Sequence, residues 1–212
     1  MFYKFAPLIL AVVAALVGLS GYYLDIRLLW VVVSLALAIA AFVVGRLIQR
    51  LNFSSHTDFL TGVWNRRYFY LRLDEEEARA TRYKTPLCIA MIDVDGFKAV
   101  NDTYGHAIGD VLLSDLAVIL KKKTRGTDIV TRWGGDEFVI IFCGASSADV
   151  CEVMERIRDK VENVFSPYHL TISVGIVSLK PDQDLKDLLI KADQALYKAK
   201  AQKNSVIGII DL

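Results

Sequence analysis

The chain has 212 residues, of which 54% are hydrophobic, and its formal net charge is +1 at pH 7. The hydrophobic excess lies in the first 45 residues, where Lys4, Asp25 and Arg27 are the only charged side chains. The remainder is long enough to form one domain with its own core. Because acidic and basic residues balance, the charge does not favour a nucleic-acid partner.

Two uncharged stretches at the N-terminus each have the length needed to cross a membrane. They cover residues 5–24 and 28–45, close to the roughly 20 residues that a hydrocarbon core of about 30 Å requires. A very short joint separates them, and aromatic side chains flank it, as they do at membrane interfaces. We therefore expect a two-helix transmembrane hairpin over residues 1–45, embedded in the lipid bilayer.

Positive charges predict the orientation of this hairpin. Lys4 precedes the first span, and Arg46, Arg50, Arg66 and Arg67 follow the second. Basic residues next to membrane spans stay on the cytoplasmic side, so both termini and the C-terminal domain of a plasma (inner) membrane protein are expected in the cytoplasm. A cleaved signal peptide in place of the first span is the alternative, and it leaves the domain on the same side.

Beyond a short polar linker expected over residues 46–57, the pattern of residues 58–212 alternates between helices and strands. Helices are predicted over 65–84, 107–123, 146–164 and 185–199, and strands over 87–93, 128–131, 138–142, 170–177 and 206–210. The second and third strands flank a Gly-Gly turn, as in a hairpin whose type I′ turn has positive φ at both centres. The domain is expected to be α/β, in the α+β form, with a central antiparallel-rich sheet flanked by helices.

Four carboxylates are predicted to meet at one edge of this sheet. Asp93 and Asp95 end a buried strand, and Asp136 and Glu137 lie at the turn of the hairpin. Such a cluster repels itself unless a cation neutralises it, and oxygen ligands select Mg²⁺ or Mn²⁺ over zinc. Mg²⁺ is commonly bound by one or two carboxylates and substrate phosphates, so the cluster indicates a nucleotide site. An isolated Asp-x-Asp pair or Gly-Gly turn would indicate only ordinary caps and turns.

The segment from Asp95 to Asp110 carries groups that suit a guanine nucleotide. Lys98 supplies positive charge for phosphate, and Asn101 and Asp110 supply hydrogen-bonding edges for a base. A carboxylate can accept hydrogen bonds from the N1–H and N2–H groups of guanine, which adenine lacks. His106, taken alone, is better explained by a position in the core or at a helix cap.

Together these residues resemble the GGDEF-domain diguanylate cyclases. Residues 134–138 spell the family signature, and residues 58–67, 93–110 and 192–200 resemble its opening motif, its metal and guanine segment and its last helix. The resemblance covers residues 54–210. It implies a palm-like domain similar to class III nucleotide cyclases, and a reaction that condenses two GTP to cyclic di-GMP and two pyrophosphates.

The resemblance also implies roles for individual residues. Mg²⁺ or Mn²⁺ is expected to be bound by Asp93, Val94 through its carbonyl, Asp136 and Glu137. Asp136 and Glu137 are the expected catalytic acids, with Asp136 activating the 3′-hydroxyl. Substrate contacts are expected from Lys98, Asn101, His106, Asp110, Gly134, Gly135 and Lys200. Each domain holds one GTP in this family, so activity is expected to require a homodimer.

An Arg-x-x-Asp sequence formed by Arg125 and Asp128 stands just before the signature. Alone it would be a solvated turn, but at this spacing it resembles the product-inhibition site of the family. The resemblance implies that cyclic di-GMP is also an inhibitor, with the arginine binding guanine and phosphate through its planar fork. Arg156 is expected to be a secondary arginine of this site.

The sequence departs from the family pattern at two positions. Phe59 stands where proline is frequent, with little expected effect, and the glycine that commonly precedes the final basic residue is missing, which shifts Lys203 by one place. The alternative function is a catalytically idle domain that binds cyclic di-GMP or GTP and signals by contact. The complete metal and guanine set favours an active enzyme.

Overall fold

The structure of the protein is a computed structural model. It describes residues 12–13, 26–54, 56–179 and 184–209. The chain divides into two units, an N-terminal one over Met1–Ser55 and a C-terminal one over His56–Leu212.

The N-terminal unit contains helix α1, Ile26–Ser54. Its 19 residues from Leu28 to Arg46 are apolar enough to cross a membrane, and none of this stretch is buried. The predicted second span is therefore a candidate membrane helix by length and composition. The predicted first span, residues 5–24, lies outside the described residues except for 12–13, so the hairpin stays a prediction.

The residues predicted to form a polar linker continue helix α1 as far as Ser54. Residues 46–54 contain neither glycine nor proline, the two residues that most disfavour a helix. Nothing in the sequence therefore ends the helix where its apolar stretch ends.

The C-terminal unit is built on a six-stranded sheet. Its strands are β1 Trp64–Asn65, β2 Leu87–Asp95, β3 Ile129–Gly134, β4 Glu137–Cys143, β5 Thr171–Ser178 and β6 Val206–Ile209. Their order is β1-β3-β4-β2-β5-β6. The pairs β3–β4, β4–β2 and β2–β5 are antiparallel, and β1–β3 and β5–β6 are parallel. The predicted antiparallel-rich sheet is confirmed.

Helices cover both faces of this sheet. They are α2 Arg66–Tyr83, α3 Phe97–Tyr104, α4 His106–Lys123, α5 Ser147–Val164 and α6 Leu185–Gln202. Side chains alternate between the two faces of a strand. The even-numbered side chains of β2 from Cys88 to Ile92 join the core of α4 and α5, and the odd-numbered ones from Leu87 to Met91 join that of α2 and α6. Burial on both faces explains the continuous apolar run of β2.

Capping residues fix the starts of three of these helices, close to where the sequence predicts these helices to begin. Asn65 Oδ1 accepts a hydrogen bond from the N–H of Tyr68 at the start of α2, and Asp184 caps α6. Ser146 and Asp149 form a reciprocal capping box at the start of α5. Helix α3 is not predicted by the sequence analysis, because its 8 residues are too few to show a helical period.

Helix α6 lies directly on strand β5 at Gly175. A Cβ atom on this residue would lie 2.2 Å from the main-chain nitrogen of Leu196 and 2.7 Å from the carbonyl oxygen of Ala192. Because these atoms belong to the helix backbone, they could move only with the helix. Gly175 therefore fixes how closely α6 approaches the sheet, and with it the position of Lys200, one turn beyond Leu196.

Asp58 organises residues 57–63, which we call the opening loop. Its Oδ1 accepts hydrogen bonds from the N–H and the Oγ1 of Thr61, at 2.9 and 2.7 Å, and from Nη1 of Arg132 at 3.1 Å. Burial raises the pKa of the Asp58 carboxyl, but the bonds from Thr61 and Arg132 outweigh it and leave the pKa below its ordinary value of 3.8. An ionised Asp58 thus ties the opening loop to β3.

Substitution of Gly175 by alanine should destabilise the protein. We expect Gly175→Ala to lower the free energy of unfolding by about 1–3 kcal/mol, because the added methyl group forces α6 away from β5. Denaturant unfolding followed by tryptophan fluorescence measures this change. Gly126→Ala is the matched control, since a Cβ there meets no atom within 4 Å. Equal losses in the two variants would contradict the close approach at Gly175.

The lowered pKa of Asp58 predicts a pH-dependent contribution to stability. A carboxyl whose pKa is lower in the folded state stabilises the fold above its unfolded pKa of about 3.9, and loses this effect as pH falls through the folded pKa. Asp58→Asn should therefore be less stable than the wild type near pH 7, with a difference that shrinks below about pH 4. Denaturant unfolding of both proteins between about pH 4 and pH 7 tests this prediction. A difference in the free energy of unfolding that does not change with pH would contradict it.

Candidate functional site

The end of strand β2 and the β3–β4 hairpin meet at one edge of the sheet. Asp93 lies opposite Glu137 in the antiparallel ladder, and the N–H of Val94 donates to the carbonyl oxygen of Asp136 at 3.3 Å. Strand pairing alone therefore brings together the four residues that the sequence analysis expects to bind a metal.

Asp93 forms an ion pair with Lys200 at the end of α6. Lys200 Nζ lies 2.7 Å from Asp93 Oδ2, and the side chains are 44% and 9% exposed, respectively. The pKa of the Asp93 carboxyl is raised above its ordinary value, mainly by burial. Lys200 lowers this pKa through its hydrogen bond and charge, whereas the charges of Asp136 and Asp95 raise it. For Lys200, burial lowers the pKa, but Asp93 and the neighbouring acids raise it overall. The lysine predicted to bind phosphate is thus held beside the carboxylates.

Negative charge accumulates around Glu137. Burial raises the pKa of its carboxyl, Asp93, Asp136 and Asp193 raise it further, and Lys200 partly opposes them. Such mutual repulsion is relieved by a divalent cation, and an all-oxygen donor set suits Mg²⁺ or Mn²⁺. Within the described residues, no group of three or more His, Cys, Asp or Glu side chains is arranged to hold a metal ion by itself. The arrangement fits an ion that takes its other ligands from a bound molecule, as Mg²⁺ does from phosphates.

Asp95 has a different role from the other carboxylates. It accepts hydrogen bonds from Thr171 Oγ1 at 2.9 Å, from Ser173 Oγ at 2.8 Å and from the N–H of Asn204 at 3.0 Å. These donors occupy both of its oxygens. The predicted cluster of four carboxylates therefore consists of three, with Asp95 as the residue that ties β2 to β5 and to the turn after α6.

That turn contains two residues with positive φ. Lys203 has φ +57° and ψ 159°, a conformation adopted almost only by glycine, and Asn204 has φ +44°. Lys203 therefore adopts a glycine-like backbone conformation next to the place where the family glycine is missing, and its shift by one place stays a prediction. Asn204 Oδ1 accepts a hydrogen bond from Arg158 Nη1 at 3.1 Å. Asn204 also donates its N–H to Asp95. These two contacts of Asn204 hold the turn that follows Lys200.

The hairpin turn is centred on Gly135 and Asp136, one residue later than predicted. Gly134 still pairs with Glu137, and in this turn only Gly135 has positive φ, +33°. The turn is therefore not type I′, which needs positive φ at both central residues. A Cβ on Gly134 or Gly135 would meet no described atom within 4 Å. The space beside the turn is open to another molecule.

Arg132 holds this turn in place. Its Nε and Nη2 donate to the carbonyl oxygen of Gly135 at 3.0 and 2.7 Å, and its Nη1 donates to Asp58 at 3.1 Å. One guanidinium thus joins the hairpin to the opening loop. Arg132 is not among the residues predicted for the site, because its distance from the glycines in the sequence does not reveal its partner Asp58, 74 residues away.

Helices α3 and α4 bring together the residues predicted to bind guanine. Asn101 lies on α3, and its Oδ1 is buried with no hydrogen-bond partner in the described part of the chain. A Cβ on Gly109 would lie 2.0 Å from this oxygen, so the missing side chain makes room for Asn101. Asp110 follows Gly109 on α4 and is exposed. A buried, unpaired oxygen next to an exposed carboxylate suits a ligand with several donors.

Lys98 and His106 are also placed near this junction. Lys98 lies in the first turn of α3, and His106 is the first residue of α4. Both are exposed, so His106 is not a core histidine. Their predicted contacts with substrate stay predictions.

A cavity of about 420 Å³ lies between α4 and the hairpin turn. Asp110 lines it from α4, Gly134 and Gly135 line it from the turn, and Phe59 lines it from the opening loop. The structure thus places a predicted guanine ligand and both glycines of the signature on one cavity.

The three residues predicted to form an inhibitory site line a separate cavity. Arg125 and Asp128 lie in the loop before β3, and Arg156 lies on α5. Asp128 Oδ2 accepts a hydrogen bond from the N–H of Arg125 at 2.8 Å. Burial raises the pKa of the Asp128 carboxyl, and Arg125 partly opposes the shift. The fold therefore brings the three residues together, whereas their binding of product stays a prediction.

A comparison with protein families matches residues 55–205 to the family described as diguanylate cyclase, GGDEF domain. The response regulator PleD of Caulobacter vibrioides is 40% identical over 163 residues, which cover 72% of this chain and 36% of that protein. Diguanylate cyclase A of Treponema denticola is 39% identical over 153 residues, 68% of this chain and 41% of the relative. The chain thus spans less than half the length of these curated relatives.

A solved structure has the same fold. The GGDEF domain of DgcB from Caulobacter crescentus, crystallised in complex with c-di-GMP, superimposes with a TM-score of 0.67 at 31% identity. The match covers 73% of this chain and 96% of that domain. With the six-stranded sheet, the helices on both of its faces and the signature in the hairpin, this establishes that the chain belongs to the GGDEF-domain family of diguanylate cyclases.

Proposed function

We propose that the protein is a diguanylate cyclase that condenses two GTP to cyclic di-GMP and two pyrophosphates. The observation that carries the proposal is the edge of the sheet where Asp93, Asp136 and Glu137 lie together, beside an open turn and a cavity lined by Asp110. Carboxylates that lie close together at a partly buried edge, next to a cavity for a base, suit the binding of a nucleotide together with a cation.

Asp110 in the cavity and polar residues of α3 and α6 select guanine and hold its phosphates. The Asp110 carboxylate accepts from N1–H and N2–H of the base, and Asn101 supplies its unpaired oxygen to a donor. Lys98 and Lys200 provide positive charge for the phosphates. Because adenine lacks these two donors, an adenine nucleotide would leave Asp110 without partners, which costs affinity.

Mg²⁺ or Mn²⁺, held by Asp93, the Val94 carbonyl, Asp136 and Glu137 together with the phosphates, would neutralise charge and lower the pKa of the attacking hydroxyl. Asp136 accepts the proton of the ribose 3′-hydroxyl. The hydroxyl oxygen then forms a bond to the α-phosphorus of the other GTP, and the bond to pyrophosphate breaks. A second such step, in which the 3′-hydroxyl of the other ribose attacks the remaining α-phosphorus, closes the ring and releases the second pyrophosphate.

Each domain offers one carboxylate cluster and one base cavity, so it holds one GTP. The two ribose hydroxyls each attack the nucleotide held by the other domain, and in-line attack requires the two nucleotides to face each other. The active species is therefore a homodimer in which each chain contributes half of the site.

The proposed location is the plasma (inner) membrane. Helix α1 supplies one stretch of suitable length and composition, Leu28–Arg46, and the uncharged residues 5–24 supply the second arm of a hairpin. Basic residues beyond both arms put the termini and the catalytic domain in the cytoplasm, where GTP is available.

Removal of a carboxylate at the edge of the sheet should abolish turnover. We expect Asp93→Asn and Asp136→Asn to lower the rate of cyclic di-GMP formation from GTP and Mg²⁺ by at least about 10²-fold, because each removes a charge that the reaction needs. Product is quantified by chromatography of the purified full-length protein. Asp115→Asn, on the exposed side of α4, is the control and should keep wild-type activity. A dimeric wild type that binds GTP but forms no product would favour the idle alternative.

The Arg125 site should control feedback. We expect Arg125→Ala to keep the initial rate of the wild type but to need at least about 10-fold more added cyclic di-GMP for half-inhibition, because the bidentate guanidinium contact is lost. Initial rates at increasing product concentration measure this. Lys122→Ala removes a nearby positive charge that does not line the cavity and should leave inhibition unchanged. Unaltered inhibition of Arg125→Ala would contradict the assignment.

A further inference from the structure

Phe59 combines two properties that are unusual for a phenylalanine. It is 98% exposed, and it lines the cavity that also contains Asp110 and the two glycines of the hairpin turn. From the sequence, this departure from proline is expected to have little effect. In the structure, an almost fully exposed apolar ring belongs to a residue that lines the proposed base site.

The backbone on both sides of Phe59 is fixed. On one side, Asp58 is bonded to Arg132, which is bonded to the Gly135 carbonyl. On the other, the carbonyl oxygen of Leu60 accepts a hydrogen bond from Ser114 Oγ at 3.2 Å, and the same hydroxyl lies 2.9 Å from the Asp110 carbonyl oxygen. The opening loop is thus anchored to the hairpin turn and to the helix turn that carries Asp110.

These anchors hold Phe59 between the two parts of the site that must contact a nucleotide. A ring that is exposed to water gains free energy when an aromatic ligand covers it. The ligand proposed for this cavity is a purine, whose flat face is the natural partner of such a ring. Stacking of a base on an aromatic side chain commonly changes affinity by roughly 5- to 150-fold.

We propose that Phe59 is a further substrate-binding residue, whose ring stacks on the guanine base of GTP at the opening of the cavity. The inference rests on the proposed function and adds an affinity contact to it. Stacking does not distinguish one purine from another, whereas the hydrogen bonds of Asp110 do. Phe59 therefore contributes affinity, and Asp110 contributes selectivity.

The test compares Phe59→Ala and Phe59→Trp with the wild type in the full-length chain. We expect Phe59→Ala to raise the KM for GTP by about 5-fold or more with unchanged kcat, and Phe59→Trp to restore the wild-type KM. The Kd of 3′-deoxy-GTP, which cannot attack, should rise by the same factor. The preference for 3′-deoxy-GTP over 3′-deoxy-ATP should stay the same in Phe59→Ala and fall in Asp110→Ala.

Tyr83→Ala is the matched control, because Tyr83 is also an exposed aromatic, 63%, and does not line this cavity. Equal KM and Kd values for Phe59→Ala and the wild type would overturn the inference. So would a loss of activity that higher protein concentration restores, since that marks a contact between two chains. A wild type that makes no cyclic di-GMP would overturn the proposed function, whereas the Kd of 3′-deoxy-GTP would still test Phe59.

Discussion

The antiparallel pairing of β2 with β4 is the interaction on which the site depends. It places Asp93 opposite Glu137, and a shift of one residue would turn one set of side chains to the other face of the sheet. The register is specified by packing, because a slip would exchange the side chains that β2 places in the two cores. Hydrophobic burial along the whole strand thus fixes the position of the carboxylates at its end, and Gly175 fixes the distance of the helix that carries Lys200.

Two aspartates on the same face of β2 are treated differently by their surroundings. Asp95 accepts three hydrogen bonds from β5 and from the turn after α6, so its charge is satisfied within the fold. Asp93 has one ammonium partner, Lys200, and the charges of Asp136 and Asp95 oppose its ionisation. Asp95 therefore stabilises the structure, and Asp93 remains suited to binding a cation. Identical residues acquire separate roles from the donors that tertiary structure supplies.

The sequence predicted the elements whose signal is local. Apolar runs revealed β2 and β4, and apolar residues at helical spacing revealed α4 and α6. The sequence could not predict α3, because this helix is too short to show a helical period. It could not predict the position of the hairpin turn either, because Gly134 and Gly135 have equal turn propensity. The bond from Arg132 to Asp58, the donors to Asp95 and the glycine-like φ of Lys203 arise from long-range packing, which no local pattern encodes.

The way Arg132 is bonded has a consequence for the chemistry next to it. A guanidinium beside an aspartate usually forms an ion pair with it, which here would compete with a cation. Arg132 instead donates to the main-chain carbonyl of Gly135 and is neutralised by Asp58. The turn is therefore held through its backbone, and the charge of Arg132 is paired with that of Asp58. Rigidity and an available anionic ligand are thus obtained together, because the residue that positions the turn has its own counter-ion in the opening loop.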